Sequence, residues 1–97
     1  MIARDIVIDI NSFVEQCGGA KYDWYVGVTA DAEHQLFHGH KVNRLFDSWI
    51  YRVADNSEIA RNVKKTYLTL GFDGDDDGEK LTGIVVYAFL KSANTLS

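Results

Sequence analysis

Three closely spaced histidines form the first candidate metal site in this sequence. His34 and His38 are spaced i, i+4 in the stretch "ADAEHQLFHGH", so on a helix they would share one face, and His40 follows directly. Three imidazoles with an open fourth position would suit zinc. The alternative is surface polarity, with His38 favoured near a helix C-terminus by the helix dipole.

An acidic segment, Asp73–Gly78, is the second candidate site. Its sequence DGDDDG satisfies the opening D-x-D-x-D-G of an EF-hand loop, but the twelfth position is Ile84 instead of a bidentate glutamate. The segment is therefore not an EF-hand, and we expect at most weak Ca²⁺ binding there. The alternative is a solvated turn in which glycine and aspartate serve turn geometry.

Length and composition define the kind of protein that carries these residues. The chain has 97 residues, 46% hydrophobic and 12% aromatic, which predicts one packed domain spanning 1–97. The single Cys17 cannot form an internal disulfide. No apolar run reaches membrane-spanning length, and the first ten residues carry charges where a signal peptide needs an apolar stretch, so we expect a cytoplasmic protein with no membrane partner.

The charge distribution bears on nucleic-acid binding. The net charge of −4 is unlike the basic footprint of most nucleic-acid-binding domains. The acidic segment extended to Lys80 holds five of the fourteen acids and one of the ten bases, which leaves nine of each elsewhere. Lysines and arginines in 41–44 and 61–65 would form a small basic patch if they converged, although an exposed helix face has the same composition.

Hydrophobic periodicity predicts alternating helices and strands. We expect helices over 6–17, from Asp31 to Gly39, and over 55–71, and strands over 22–29, 48–54 and 82–90. The first segment also alternates like a strand at Ile6, Ile8 and Ile10, but its helical pattern is longer and ends in a glycine pair. The fold class is therefore α/β: a small sheet of about three strands flanked by helices.

The strand-to-helix corner resembles part of a known family. Tyr25-Val26-Gly27, followed by Thr29 and a helix, is similar to the second half of the GIY-YIG nuclease signature. The succession continues with a strand over Trp49–Ala54 and a glutamate, Glu58, in the next helix. The resemblance covers about residues 22–70 and implies a GIY-YIG-like domain.

The resemblance implies a metal-dependent endonuclease acting on DNA or RNA. Tyr25 would help to activate or orient the nucleophile. Glu58 would hold Mg²⁺, a hard cation that prefers oxygen ligands and would stabilise charge on the scissile phosphate.

Two departures from the family pattern suggest impaired catalysis. The family's arginine in the helix after YIG is absent, and losing such a donor typically costs on the order of 10²–10³ in rate. His34, when protonated, and Arg52 on the neighbouring strand are the candidate replacements. The GIY half is also absent upstream, but Gly83-Ile84-Val85-Val86-Tyr87 echoes it in the last strand. We hypothesise that this strand pairs beside residues 22–29, with Tyr87 in place of the GIY tyrosine.

Other interpretations of the same residues stay open. Tyr25 can be a core aromatic. Asp55 and Glu58 have the spacing of a capping box, in which Glu58 would bond a backbone N–H instead of a metal. The competing function is a non-enzymatic interaction module, including one half of a homo-oligomer. A third is a weak calcium-binding regulator acting through the acidic segment.

Overall fold

The computed structural model describes residues 1–74 and 83–96, which form an α/β structure around a four-stranded mixed sheet. The helices and strands are α1 (Ala3–Cys17), β1 (Trp24–Thr29), β2 (Trp49–Val53), α2 (Ser57–Leu70), β3 (Asp73–Gly74) and β4 (Val85–Leu90). A 3₁₀ turn, Lys21–Asp23, precedes β1, and a π-helix, His34–Gly39, follows it.

The sheet has the strand order β2-β4-β1-β3. The last strand, β4, lies in the middle and pairs antiparallel with both β1 and β2, while β3 is parallel to β1. In this register Gly27 and Tyr51 both lie opposite Tyr87. The hypothesis that the last strand pairs beside β1 is confirmed. The predicted three strands are the three long ones, and β3 adds a fourth of only two residues.

The two faces of the sheet pack different cores. Alternate side chains of a strand point to opposite faces, so Trp24, Val26 and Val28 join the core formed with α1 and α2. Tyr25 points the other way, into a second cluster beneath the π-helix and the loop after it. This division decides which of the predicted site residues can meet.

The ends of the two α-helices follow local chemistry. α1 ends at Gly18, whose φ of 85° is readily adopted by glycine, as the sequence predicts. The N-cap of α2 is Asn56, whose side chain accepts the Ile59 N–H at 2.8 Å. The predicted Asp55–Glu58 capping box is therefore wrong, because the N-cap is Asn56, one residue after Asp55. The Asp55 carboxylate instead accepts a hydrogen bond from the amino terminus of Met1, at 2.8 Å.

The predicted helix after β1 is wound as a π-helix. The His40 N–H bonds the Gln35 carbonyl five residues earlier, at 2.9 Å. The predicted role of Asp31 at its start is confirmed, since its carboxylate accepts the His34 N–H at 3.1 Å. Within the part of the chain that the structure describes, no helix has both the length and the apolar character needed to cross a membrane.

Candidate functional site

Tyr25 lies in a buried aromatic cluster. Its side chain is only 6% exposed. The ring centroid is 4.6 Å from that of His40, 5.2 Å from that of Phe89 and 6.3 Å from that of Tyr87. The two tyrosines of the family resemblance are thus together, but in a packed interior.

His40 connects this cluster to the C-terminal segment. Its Nδ1 is 2.6 Å from the Leu96 carbonyl, and its Nε2 is 2.8 Å from the Tyr87 hydroxyl. A carbonyl can only accept, so in the neutral ring Nδ1 carries the hydrogen and Nε2 accepts from the Tyr87 O–H. His40 is 6% exposed. The expectation that it joins His34 and His38 around a metal is wrong, because its ring turns inward to satisfy these two partners.

Gly27 is the residue that lets Tyr87 fold over the sheet. A Cβ at Gly27 would lie 2.5 Å from Tyr87 Cζ and 2.8 Å from Cε1, well inside van der Waals contact. The glycine of the YVG tripeptide therefore has a packing role.

Arg52 lies on the opposite face of the sheet from Tyr25. Its Nε donates to Asp9 Oδ2 of α1 at 2.8 Å, and its Nη1 donates to the Tyr51 carbonyl at 2.8 Å. The structure therefore does not bring Arg52 to the Tyr25 cluster.

Glu58 is also separated from Tyr25. It is exposed in the first turn of α2, and that helix packs through Ala60, Val63 and Tyr67 on the α1 side of the sheet. On the same helix, Lys64 is only 5% exposed, so its side chain is not part of an exposed basic patch.

His34 and His38 form an exposed pair on the π-helix. Their ring centroids are 5.3 Å apart and their planes differ by 24°. His34 thus faces solvent, away from the buried tyrosines.

Potential metal ligands do not cluster in groups of three within residues 1–74 and 83–96. Asp73 Oδ2 accepts a hydrogen bond from Lys91 Nζ at 3.1 Å, and Asp73 Oδ1 accepts the Gly74 N–H. The remaining aspartates of the predicted calcium segment, Asp75 to Asp77, lie outside the described residues.

A surface that sequence reasoning missed is the turn containing Leu45 and Phe46. These adjacent side chains are 84% and 85% exposed. Asn43 Oδ1 accepts the backbone N–H groups of both residues, at 2.9 and 3.0 Å. Asp47 Oδ2 in turn accepts the Asn43 N–H at 2.7 Å and the Asn94 amide at 3.0 Å. The turn therefore holds two large apolar side chains in solvent.

The Asp47 carboxylate is held in its charged form by these bonds. Burial acts to raise its pKa, but hydrogen bonds from the Asn43 backbone and from the Asn94 and Ser92 side chains outweigh this, and the net effect lowers the pKa. The turn keeps this anchor at neutral pH.

Three half-buried aromatic rings adjoin the turn. Phe37 packs edge-on against Trp49 with ring centroids 5.0 Å apart, and Trp49 lies 6.2 Å from Tyr51 on β2. Arg44 connects them to the turn, because its guanidinium lies 4.0 Å from the Phe37 ring centroid and its carbonyl accepts the Trp49 indole N–H. We call Phe37, Leu45, Phe46, Trp49 and Tyr51 the aromatic surface. The sequence signal for most of it was the run RLFDSWIY, in which Leu45 and Phe46 lie outside every predicted helix and strand.

Comparisons of the chain with protein-family models, with curated proteins and with solved structures found no match.

Proposed function

We propose that this protein is a non-enzymatic interaction module that binds another protein chain through the aromatic surface. The observation that carries the proposal is the exposure of Leu45 and Phe46, at 84% and 85%, on a hydrogen-bonded turn. Single exposed apolar residues are common on monomers, whereas two adjacent large apolar side chains, on a turn that Arg44 links to three aromatic rings, favour an interaction site.

The energetics favour binding at this turn. Full burial of a leucine or phenylalanine side chain contributes about 1.5–3 kcal/mol each, and aromatic residues are enriched among those that dominate interface affinity. The turn is already ordered by Asn43 and Asp47. Binding would therefore cost little loop entropy, which is the main benefit of a preorganised contact.

Site-specific photocrosslinking in cells tests this proposal. A photoreactive phenylalanine analogue placed at Phe46 should give a discrete crosslinked species. The same analogue at Tyr22 is the matched control, because Tyr22 is 69% exposed but lies outside the aromatic surface. The crosslinked protein is then purified, and its affinity is measured for the wild-type chain and for Phe46→Ser.

The affinity should fall at least about 30-fold in Phe46→Ser, as expected for an interface residue that contributes about 2 kcal/mol. A crosslinked species of twice the chain mass would identify a homo-oligomer as the form of the interaction. Identical crosslinking from Phe46 and Tyr22, or an unchanged affinity, would refute the proposal.

A second candidate function is the divergent endonuclease implied by the GIY-YIG resemblance, acting on DNA or RNA with Mg²⁺ at Glu58. The pairing of β4 with β1, which sets Tyr87 beside Tyr25, favours it. Two observations weigh against it. Tyr25 is buried, and both Arg52 and Glu58 lie on the α-helical side of the sheet, opposite the face that carries the Tyr25 side chain.

A nicking assay on plasmid DNA and on RNA, with Mg²⁺ or Mn²⁺, tests this second candidate. Glu15→Ala is the control, because Glu15 is an exposed glutamate on α1. Activity that disappears in Glu58→Ala and persists in Glu15→Ala would support this candidate. Absence of cleavage by the wild-type chain, with no salt-sensitive binding, would refute it.

A calcium-binding regulatory role and a cytoplasmic location are two further proposals, each supported by a single feature of the sequence. The aspartates of the acidic segment are suitable oxygen ligands for Ca²⁺, and a calcium titration of the wild-type chain against Asp75→Asn tests them. The lone Cys17 fits a reducing cytoplasm. Fractionation of the producing cells would test that location.

A further inference from the structure

The exposed pair His34 and His38 has a geometry that the buried His40 does not share. Within the described part of the chain, neither imidazole ring of the pair has a hydrogen-bond partner, whereas both ring nitrogens of His40 are engaged. The ring centroids of the pair are 5.3 Å apart, and the rings are close to parallel. The two rings are therefore exposed and adjacent on one face of the π-helix.

This separation is compatible with a shared metal ion. Imidazole nitrogens bind such ions at about 2.0–2.1 Å, so two of them on one ion can be at most about 4.2 Å apart. With centroids 5.3 Å apart and rings close to parallel, both side chains must rotate before one nitrogen of each ring points at a shared ion. Both side chains are exposed and able to rotate.

The backbone that carries the pair is fixed. The Asp31 carboxylate holds the His34 N–H at 3.1 Å, and the π-helical bond from His40 to Gln35 closes the far end. π-Helices are rare and occur frequently at functional sites. Glu33, which precedes His34 in the chain, pairs with Arg44 at 3.2 Å, so the charges of this pair compensate each other.

The chemistry of the pair selects a class of ion. Imidazole suits Zn²⁺, Cu²⁺ and Ni²⁺, whereas Mg²⁺ and Ca²⁺ take oxygen ligands. Two protein ligands leave the remaining positions to water, so the site discriminates little by geometry. Affinity should then follow the intrinsic order, with Cu²⁺ above both Ni²⁺ and Zn²⁺.

We propose that His34 and His38 form a binding site for a late first-row divalent cation, with Cu²⁺ bound most tightly. The site shares the π-helix with Phe37 of the aromatic surface, but it does not rest on the proposed interaction function. It consists of two imidazoles on one exposed face of the π-helix, completed by water. Its ion links two positions four residues apart and so stabilises that helix.

Calorimetric titration of the full-length chain with CuCl₂, NiCl₂ and ZnCl₂ tests the site. We expect one ion per chain, with Cu²⁺ bound more tightly than Ni²⁺ or Zn²⁺. His34→Gln and His38→Gln should each weaken Cu²⁺ binding at least tenfold. Both residues are exposed, so both variants should keep the metal-free melting temperature of the wild type.

Two control variants locate the ion. Asp75→Asn alters the acidic segment and Glu58→Gln alters the first turn of α2, and both should bind Cu²⁺ like the wild type. Equal Cu²⁺ affinity in the wild type and the His34→Gln/His38→Gln double variant would overturn the proposal. Failure of the wild type to bind Cu²⁺ would also overturn it.

Discussion

Replacing Gly27 by alanine should destabilise the protein through the Tyr87 ring. A Cβ at this position would lie 2.5 Å from Tyr87 Cζ and 2.8 Å from Cε1. Carbon atoms pack at about 3.5–4.0 Å, so the ring would have to move by roughly 1 Å. The ring cannot move freely, because Tyr87 is 3% exposed and its hydroxyl is 2.8 Å from His40 Nε2.

The expected cost combines two effects of that displacement. Overpacking a filled core typically costs about 1–3 kcal/mol. Stretching the Tyr87–His40 hydrogen bond costs about a further 0.5–1.5 kcal/mol. We therefore expect the free energy of unfolding to fall by about 2–4 kcal/mol, in a domain whose total is about 5–15 kcal/mol.

Urea unfolding followed by circular dichroism measures this change. Gly39→Ala is the matched control, because its Cβ would lie at an ordinary contact distance, 3.4 Å, from its nearest neighbour, the half-buried Gln35 side chain. That variant should change the free energy of unfolding by less than about 1 kcal/mol.

A double-mutant cycle isolates the cause. In a Tyr87→Val background the ring is absent, so adding Gly27→Ala should cost at least about 1 kcal/mol less than it does in the wild type. An equal cost in both backgrounds would refute the packing explanation for Gly27 and would point to the backbone instead.

Three other predictions concern single interactions. Tyr87→Phe removes the hydroxyl that donates to His40 Nε2 and should cost about 0.5–1.5 kcal/mol in urea unfolding, because this buried hydrogen bond is lost; no loss would contradict the assigned bond. Asn56→Ala should lower the free energy of unfolding by about 1 kcal/mol and Glu58→Ala by less than about 0.5 kcal/mol, because Asn56 is the α2 N-cap. A larger loss in Glu58→Ala would support the Asp55–Glu58 capping box instead. Burial raises the pKa of Tyr67 to about 12 from 10.0, so its neutral form favours folding: this contribution is complete below pH 10 and is lost as the pH rises through about 12. Stability profiles of wild type and Tyr67→Phe should therefore diverge only above pH 10, and parallel profiles would exclude the shift.

Much of the fold was predictable because its patterns are local. The apolar spacing of Ile59, Val63 and Tyr67, with Gly71 as the stop, predicts α2 closely, and the structure ends that helix at Leu70. The nearly continuous apolar run in the last strand predicts that β4 lies centrally. The π-helix was not predictable, because i, i+4 and i, i+5 spacings differ little over six residues.

The candidate site was predictable only in part. The sequence suggested that β4 pairs with β1 and that Tyr87 accompanies Tyr25, and the structure bears out both contacts. It did not indicate that Arg52 pairs with Asp9 of α1, because which face an edge-strand residue meets depends on what packs there. The exposed turn at Phe46 was missed for a related reason, since an apolar residue in a loop is normally expected to be covered.

The sequence by itself determined the identity and order of the main helices and strands, because periodicity, glycine stops and N-capping residues act within a few residues of each other. Only the tertiary structure decided which side chains meet. Because of the strand order and the alternation of side chains along each strand, Tyr25 and His40 pack on one face of the sheet, whereas Arg52 and Glu58 lie on the side of the other face. These contacts join residues far apart in the chain, and their free energies depend on packing that no local pattern encodes.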